Sequence, residues 1–152
     1  MEINIIWVLM GQYIGINDSN NKVLLDWKQR FIDLGNTKEF QEIQHEAEKQ
    51  YISQAKNIFI KFGLTTERGL ALAFDIAVQN WSVKAGTSIV NSSMTESQKL
   101  NAIAKSVVSQ SASKWQSDVR SRKMTIVNGT GTVHRAFYNL VDYDILDRIV
   151  IV

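Results

Sequence analysis

Asp75 sits among Leu72, Phe74, Ile76 and Val78, in a stretch that reads as a helix apolar on every side. A helix of that kind is a buried one. A carboxylate in such a place is costly unless it is paired or hydrogen-bonded. It therefore has two uses: a catalytic acid with a displaced pKa, or the anchor of an ion network inside the core. The second is the favoured reading. Glycoside hydrolysis needs two carboxylates, ~5–5.5 Å apart for retention or ~6.5–9.5 Å for inversion. Glu67 lies on the same helix, but the eight residues between it and Asp75 rise ~12 Å. Glu67 and Arg68 read as first-turn surface charges, and nothing singles out Glu39, Glu42 or Glu46 as a second acid. Hydrolysis by this chain alone is not expected, with Asp75 and Glu67 as the weak catalytic candidates.

Three other groupings carry possible chemistry. Gln79 and Asn80 end the central helix and can either hydrogen-bond sugar hydroxyls and amides or cap the helix. His45 stands among Glu42, Glu46 and Glu48, which invites a metal reading. The next histidine is His134, so no His-Glu-x-x-His pattern exists, and a solvated helix face is favoured. Asn128, Gly129, Gly131 and His134 form the most loop-like cluster, read either as a binding loop or as a tight turn with a surface histidine. The chain has no cysteine, which excludes disulfides and thiolate metal sites. No cofactor and no metal are expected.

The elements that must position these residues are helical. At 152 residues, 45% apolar and 21% charged, the chain suits one helical domain over residues 1–152 with a hydrophobic core. It contains no proline, the commonest helix breaker. A net charge of +2 gives no electrostatic footprint for nucleic acid or an anionic membrane. The apolar run Ile3 to Ile16 is shorter than the ~20 residues that span a bilayer. It lacks the basic start and cleavage site of a signal peptide, so it reads as a packed helix.

A polar turn at Asn17–Asn21 precedes helical spacing of Trp27, Phe31 and Leu34, with Gly35 as a stop. Phe40, Ile43, Ala47, Tyr51, Ala55, Ile58, Phe59 and Phe62 then step by three and four, which predicts a long helix ended by Gly63. Thr65 or Thr66 caps the central helix, residues 66–80. Residues 82–94 read as a loop. Thr95 and Gln98 match a capping box, and the helix they open is expected to run past Trp115 to about Arg122. Met124–Val127 reads as β-favouring, followed by a turn, so a small hairpin or irregular loop is expected near 124–133. Helix is expected again from His134 through Phe137, Leu140 and Val141. The tail Ile149–Val152 is left open between packing, edge pairing and fraying.

Three ordered segments carry a family resemblance. The central one is Thr66-Glu67-Arg68-Gly69-Leu70-Ala71-Leu72-Ala73-Phe74-Asp75-Ile76-Ala77-Val78-Gln79-Asn80. Upstream lies Trp27-Lys28-Gln29-Arg30-Phe31, and downstream Trp115-Gln116-Ser117-Asp118-Val119-Arg120-Ser121-Arg122 leads into Asn128-Gly129-Thr130-Gly131-Thr132-Val133-His134. Over residues 20–142 the chain resembles phage and prophage peptidoglycan-hydrolase-like proteins. More distantly it is similar to the chitosanase branch of the lysozyme superfamily. The resemblance implies an all-α, lysozyme-like fold around the central helix. It also implies that Asp75 pairs with arginines bracing a cleft, Arg122 first and Arg120 second, with the Gly-rich turn and His134 near that cleft.

The chain departs from that pattern at its start. The relatives carry a general-acid Glu near the N-terminus, followed by a Gly-rich segment with the second carboxylate. The opening Met1-Glu2-Ile3-Asn4-Ile5-Ile6-Trp7-Val8-Leu9-Met10 leads into no such segment, and Trp81 replaces their Gly after the central helix. The implied function is thus a truncated or degenerate domain that binds peptidoglycan or another amino-sugar polymer, either cytoplasmic or phage-associated. Two alternatives remain. One is a phage or prophage protein-interaction or inhibitor module, meeting a homodimer or protein partner through Ile5, Ile6, Trp7, Val8, Leu9 and Met10. The other is an active hydrolase whose missing acid is supplied elsewhere.

Overall fold

The computed structural model describes residues 15–20 and 22–151. The expected N-terminal helix lies outside the described residues except at Gly15 and Ile16, and the apolar surface assigned to Ile5–Met10 lies wholly outside them. The chain divides into two compact units, residues 1–47 and 48–152.

In the first unit, the Asp18 carboxylate accepts from the backbone amides of Asn20 (2.8 Å) and Lys22 (2.9 Å), closing the turn that joins Asn17 to Val23. Helix α1, Leu25–Gly35, follows and ends where the glycine stop predicts. Trp27 and Phe31, one turn apart, bring their rings to 5.9 Å. Helix α2, Lys38–Lys61, is the long helix that the apolar stripe predicts. Only the later part of that stripe is buried: Ala55, Ile58 and Phe59, then Phe62 just beyond the helix. Gly63 takes a φ of +58°, the left-handed conformation that ends a helix.

The second unit is built on α3, Glu67–Asn80. It is not buried all round. Gly69, Leu72, Ala73, Ile76 and Ala77 face the core, whereas Phe74 and Val78 are exposed on the other side. The first four amides of the helix start all find acceptors, as burial of a helix end requires. Glu96 Oε1 accepts from Thr66 N (3.1 Å) and the carbonyl of Arg148 from Glu67 N (2.9 Å). The carbonyl of Leu146 takes Arg68 N (3.2 Å), and the Thr66 hydroxyl takes Gly69 N (3.1 Å). The tail is therefore paired rather than frayed. Ile149 bridges to Thr66, and Val150 N donates to Thr65 O at 2.9 Å.

Thr95 and Gln98 form the capping box of α4, Glu96–Gln110, which packs Leu100, Ile103, Ala104, Val107 and Val108 into the core. The expected continuation to Arg122 does not occur. Ser111 turns extended (ψ 148°), its hydroxyl bonding back to Val107 O at 2.9 Å. Ser109 likewise bonds to Ser106 O. Serine hydroxyls offer the backbone an alternative to the helix ladder. A short 3-10 turn, Ser113–Trp115, then leads into a separate helix α5, Gln116–Asn128.

Met124–Val127 belongs to α5 and is not a strand. Burial of Val119, Lys123, Thr125 and Val127 overrides the local β preference. Gly129 ends the helix in the left-handed conformation (φ +77°). The small hairpin exists, but farther along than expected. It joins β1, Thr130–Val133, to β2, Ala136–Asn139, in the register Thr130 opposite Asn139 and Val133 opposite Ala136. Its two-residue turn is His134–Arg135, both at positive φ (50° and 70°), as a primed turn requires. The helix expected through Phe137, Leu140 and Val141 is thus replaced by strand β2 and a 3-10 turn at Leu140–Tyr143. Over the described residues the fold is mainly α-helical with a small two-stranded hairpin.

Candidate functional site

Asp75 lies on the flank of α3, with its side chain 13% exposed, and α5 brings two cations to it. Arg122 Nη2 donates to Asp75 Oδ1 at 2.5 Å, and Lys123 Nζ donates to Asp75 Oδ2. Lys123 is fully buried. Its nitrogen also donates to Gln79 Oε1 at 2.7 Å and to the Asp75 carbonyl at 3.5 Å. A nitrogen facing three acceptors needs three hydrogens, so the hydrogen-bond pattern fits an ammonium. Burial pushes the Lys123 pKa below its ordinary value, and the neighbouring Asp75 carboxylate opposes that shift. Gln79, one turn after Asp75, completes the coordination of the buried lysine.

The expected Arg122 partner is therefore present, but the buried partner is Lys123. Its signal was legible in the spacing. Val119, Lys123 and Val127 recur at steps of four, which puts the lysine on the apolar face of α5. Arg120 is exposed, and among the described residues no ion pair joins it to Asp75.

Outside the pair lies a cleft of about 380 Å³, lined by Asp75, Arg122, Val133, His134, Tyr138 and Tyr143 among others. The hairpin supplies His134 and Tyr138, and the following turn supplies Tyr143. The two tyrosine rings stand 6.2 Å apart. His134 Nε2 lies 2.8 Å from Asp118 Oδ1, one helical turn before Arg122 on α5. Both oxygens of Asp75 are occupied by cations, whereas the Arg122 side chain is 38% exposed and keeps donors for a ligand. The site offers donors and aromatic faces.

The remaining candidates fall elsewhere. Glu67 is not a partner of Asp75. Its oxygens accept from Arg148 Nε (2.6 Å) and Leu146 N (2.8 Å), and those bonds hold its pKa below the ordinary carboxylate value. Asn80 Oδ1 is buried with no hydrogen-bond partner, in a separate small cleft with Ser82 and Lys84. Asn128 and Gly129 line another depression beside Arg68 and Asp147, where Arg68 Nε meets Asp147 Oδ1 at 2.5 Å. Among the described residues, no three His, Asp or Glu side chains gather closely enough to hold a metal ion. No described helix is long and apolar enough to cross a membrane.

No protein-family model, curated protein or solved structure matches the chain.

Proposed function

We propose that this protein is a lysozyme-like domain that binds peptidoglycan or a related amino-sugar polymer in the Asp75–Tyr143 cleft without cleaving it. One observation carries the reading. The acids of the central helix are both committed to cations, while the adjacent cleft presents Tyr138, Tyr143, His134 and Arg122 to solvent. Pyranose rings have an apolar face that packs on an aromatic ring, and their hydroxyl and acetamido oxygens accept from arginine. Retention on purified peptidoglycan, with chitin and chitosan as controls, tests the claim. Tyr138→Ala and Tyr143→Ala are expected to reduce retention, and no retention of the native chain on any polymer at low salt would remove the proposal. Clearing of a cell-wall suspension by the pure chain would replace binding with hydrolysis.

A second reading, a protein-interaction or inhibitor module, is favoured by a separate feature. Phe74, Val78 and Trp81 follow one another at helical spacing and are 38%, 48% and 51% exposed. Trp81 also holds a positive φ (65°), unusual for a bulky side chain, and meets Tyr51 edge-on at 6.1 Å. A strictly monomeric species by light scattering at high concentration would count against the homodimer form of this reading.

A further inference from the structure

A second, larger apolar concavity adjoins the cleft beside Asp75. A groove of about 620 Å³ runs between the C-terminal half of α2 and the start of α3, and Ile126 and Leu140 line both it and the cleft. Glu67, Leu70, Ala71 and Phe74 line it from one face of α3, at steps of three and four. Ala55 and Lys56 face them from α2. The two alanines leave the floor open where larger side chains would fill it. Ligand sites of this volume and apolar character usually add a few polar groups that fix orientation. Among the described residues, two charged side chains border this groove, and they differ in what they can accept. Both oxygens of Glu67 are held by Arg148 and the Leu146 amide, so a cationic ligand finds no free acid there. Lys56 is exposed, and among the described residues it has no carboxylate partner.

We propose that this groove binds one single-chain anionic amphiphile, with its acyl chain along the Ala55–Ala71 floor and its acidic head on Lys56. The apolar body follows from the lining, and the sign of the head group follows from Lys56 being the free charge. Titration of the full chain with dodecanoate below its micellar concentration tests this. Dodecyltrimethylammonium and dodecyl maltoside serve as head-group controls. The expected result is saturable binding of one dodecanoate per chain, tighter than either control. Ala71→Phe should abolish that binding while circular dichroism shows the fold retained. Lys56→Glu, on an exposed helix face, should weaken dodecanoate roughly 3- to 10-fold, as an exposed ion pair gives way to a repulsion of similar size. Absence of saturable dodecanoate binding overturns the proposal, as does equal affinity for the cationic amphiphile. Native affinity in Ala71→Phe also overturns it. If Ala71→Phe fails to fold, an unchanged affinity in Lys56→Glu has the same force.

Discussion

Asp75, Arg122 and Lys123 form one network, but they do not bear equal weight. Asp75→Ala leaves the Lys123 ammonium fully buried against two neutral acceptors, Gln79 Oε1 and the residue 75 carbonyl. Stranding a buried charge costs ~3–5 kcal/mol, a large share of the ~5–15 kcal/mol that holds a domain together. Arg122→Ala is milder, because a side chain 38% exposed is lost and Asp75 keeps Lys123. With that much of the arginine in water, the pair stands nearer to a surface pair, worth ~1 kcal/mol, than to a buried one. Denaturant unfolding is therefore expected to rank Asp75→Ala well below Arg122→Ala in stability. Combining Asp75→Ala with Lys123→Met should cost less than the sum of the two changes. Equal losses for Asp75→Ala and Arg122→Ala would show that the arginine, not the lysine, holds the acid. An acid inside an apolar helix announces that it needs a cation, so this much was legible. Which cation answers it was legible only in the step-of-four spacing of Val119, Lys123 and Val127, because a basic residue is read as surface unless such spacing places it inward.

Helix boundaries were legible where a side chain both starts and satisfies an end, and illegible where packing decides. Thr66, Thr95, Gln98 and Gly63 mark ends that the structure uses. The break at Ser111 and the helical state of Met124–Val127 depend on tertiary contacts that local preference does not contain. Gly131 shows how tightly the resulting pieces fit. A Cβ at that position would lie 2.1 Å from Thr125 Oγ1 and 3.1 Å from Thr125 Cα, so β1 lies directly against α5. Gly131→Ala must push the hairpin off the helix, an overpacking cost of ~1–3 kcal/mol or more. The expected outcome is a lower melting temperature together with weakened ligand retention, since the hairpin carries His134 and Tyr138 into the cleft. Adding Thr125→Ala removes the closest atom but leaves Cβ at 2.9 Å and Cα at 3.1 Å, so it should rescue stability only in part. Full stability in Gly131→Ala alone would mean that the hairpin does not pack as described.

Across the second unit, residues 146–150 are fastened to the start of α3, far away in sequence. Arg148 supplies two bonds to this closure: its guanidinium donates to Glu67, and its carbonyl accepts the Glu67 amide. Glu67 also takes the Leu146 amide, so one side chain locks the segment 144–150 in place. The sequence suggested only a first-turn surface charge, because the partner stands 81 residues away. The bonds from Arg148 and Leu146 lower the Glu67 pKa, so the unfolded chain binds its proton more readily than the folded one. A depressed carboxylate contributes stability that is present above its unfolded value, about 4.3 for glutamate, and is lost as pH falls through the lower folded value. Melting temperature should therefore fall on acidification below about pH 4, and Glu67→Gln should flatten that fall while lowering stability at neutral pH. Hydrogen exchange locates the effect. In Glu67→Gln the amides of Glu67's neighbours Arg68, Leu146 and Val150, which close the tail onto α3, are expected to exchange faster at neutral pH, with the core amides of α4 unchanged. Unchanged protection at those three positions would mean that the tail is held by its backbone pairing alone and that the Glu67–Arg148 bond adds nothing to the closure.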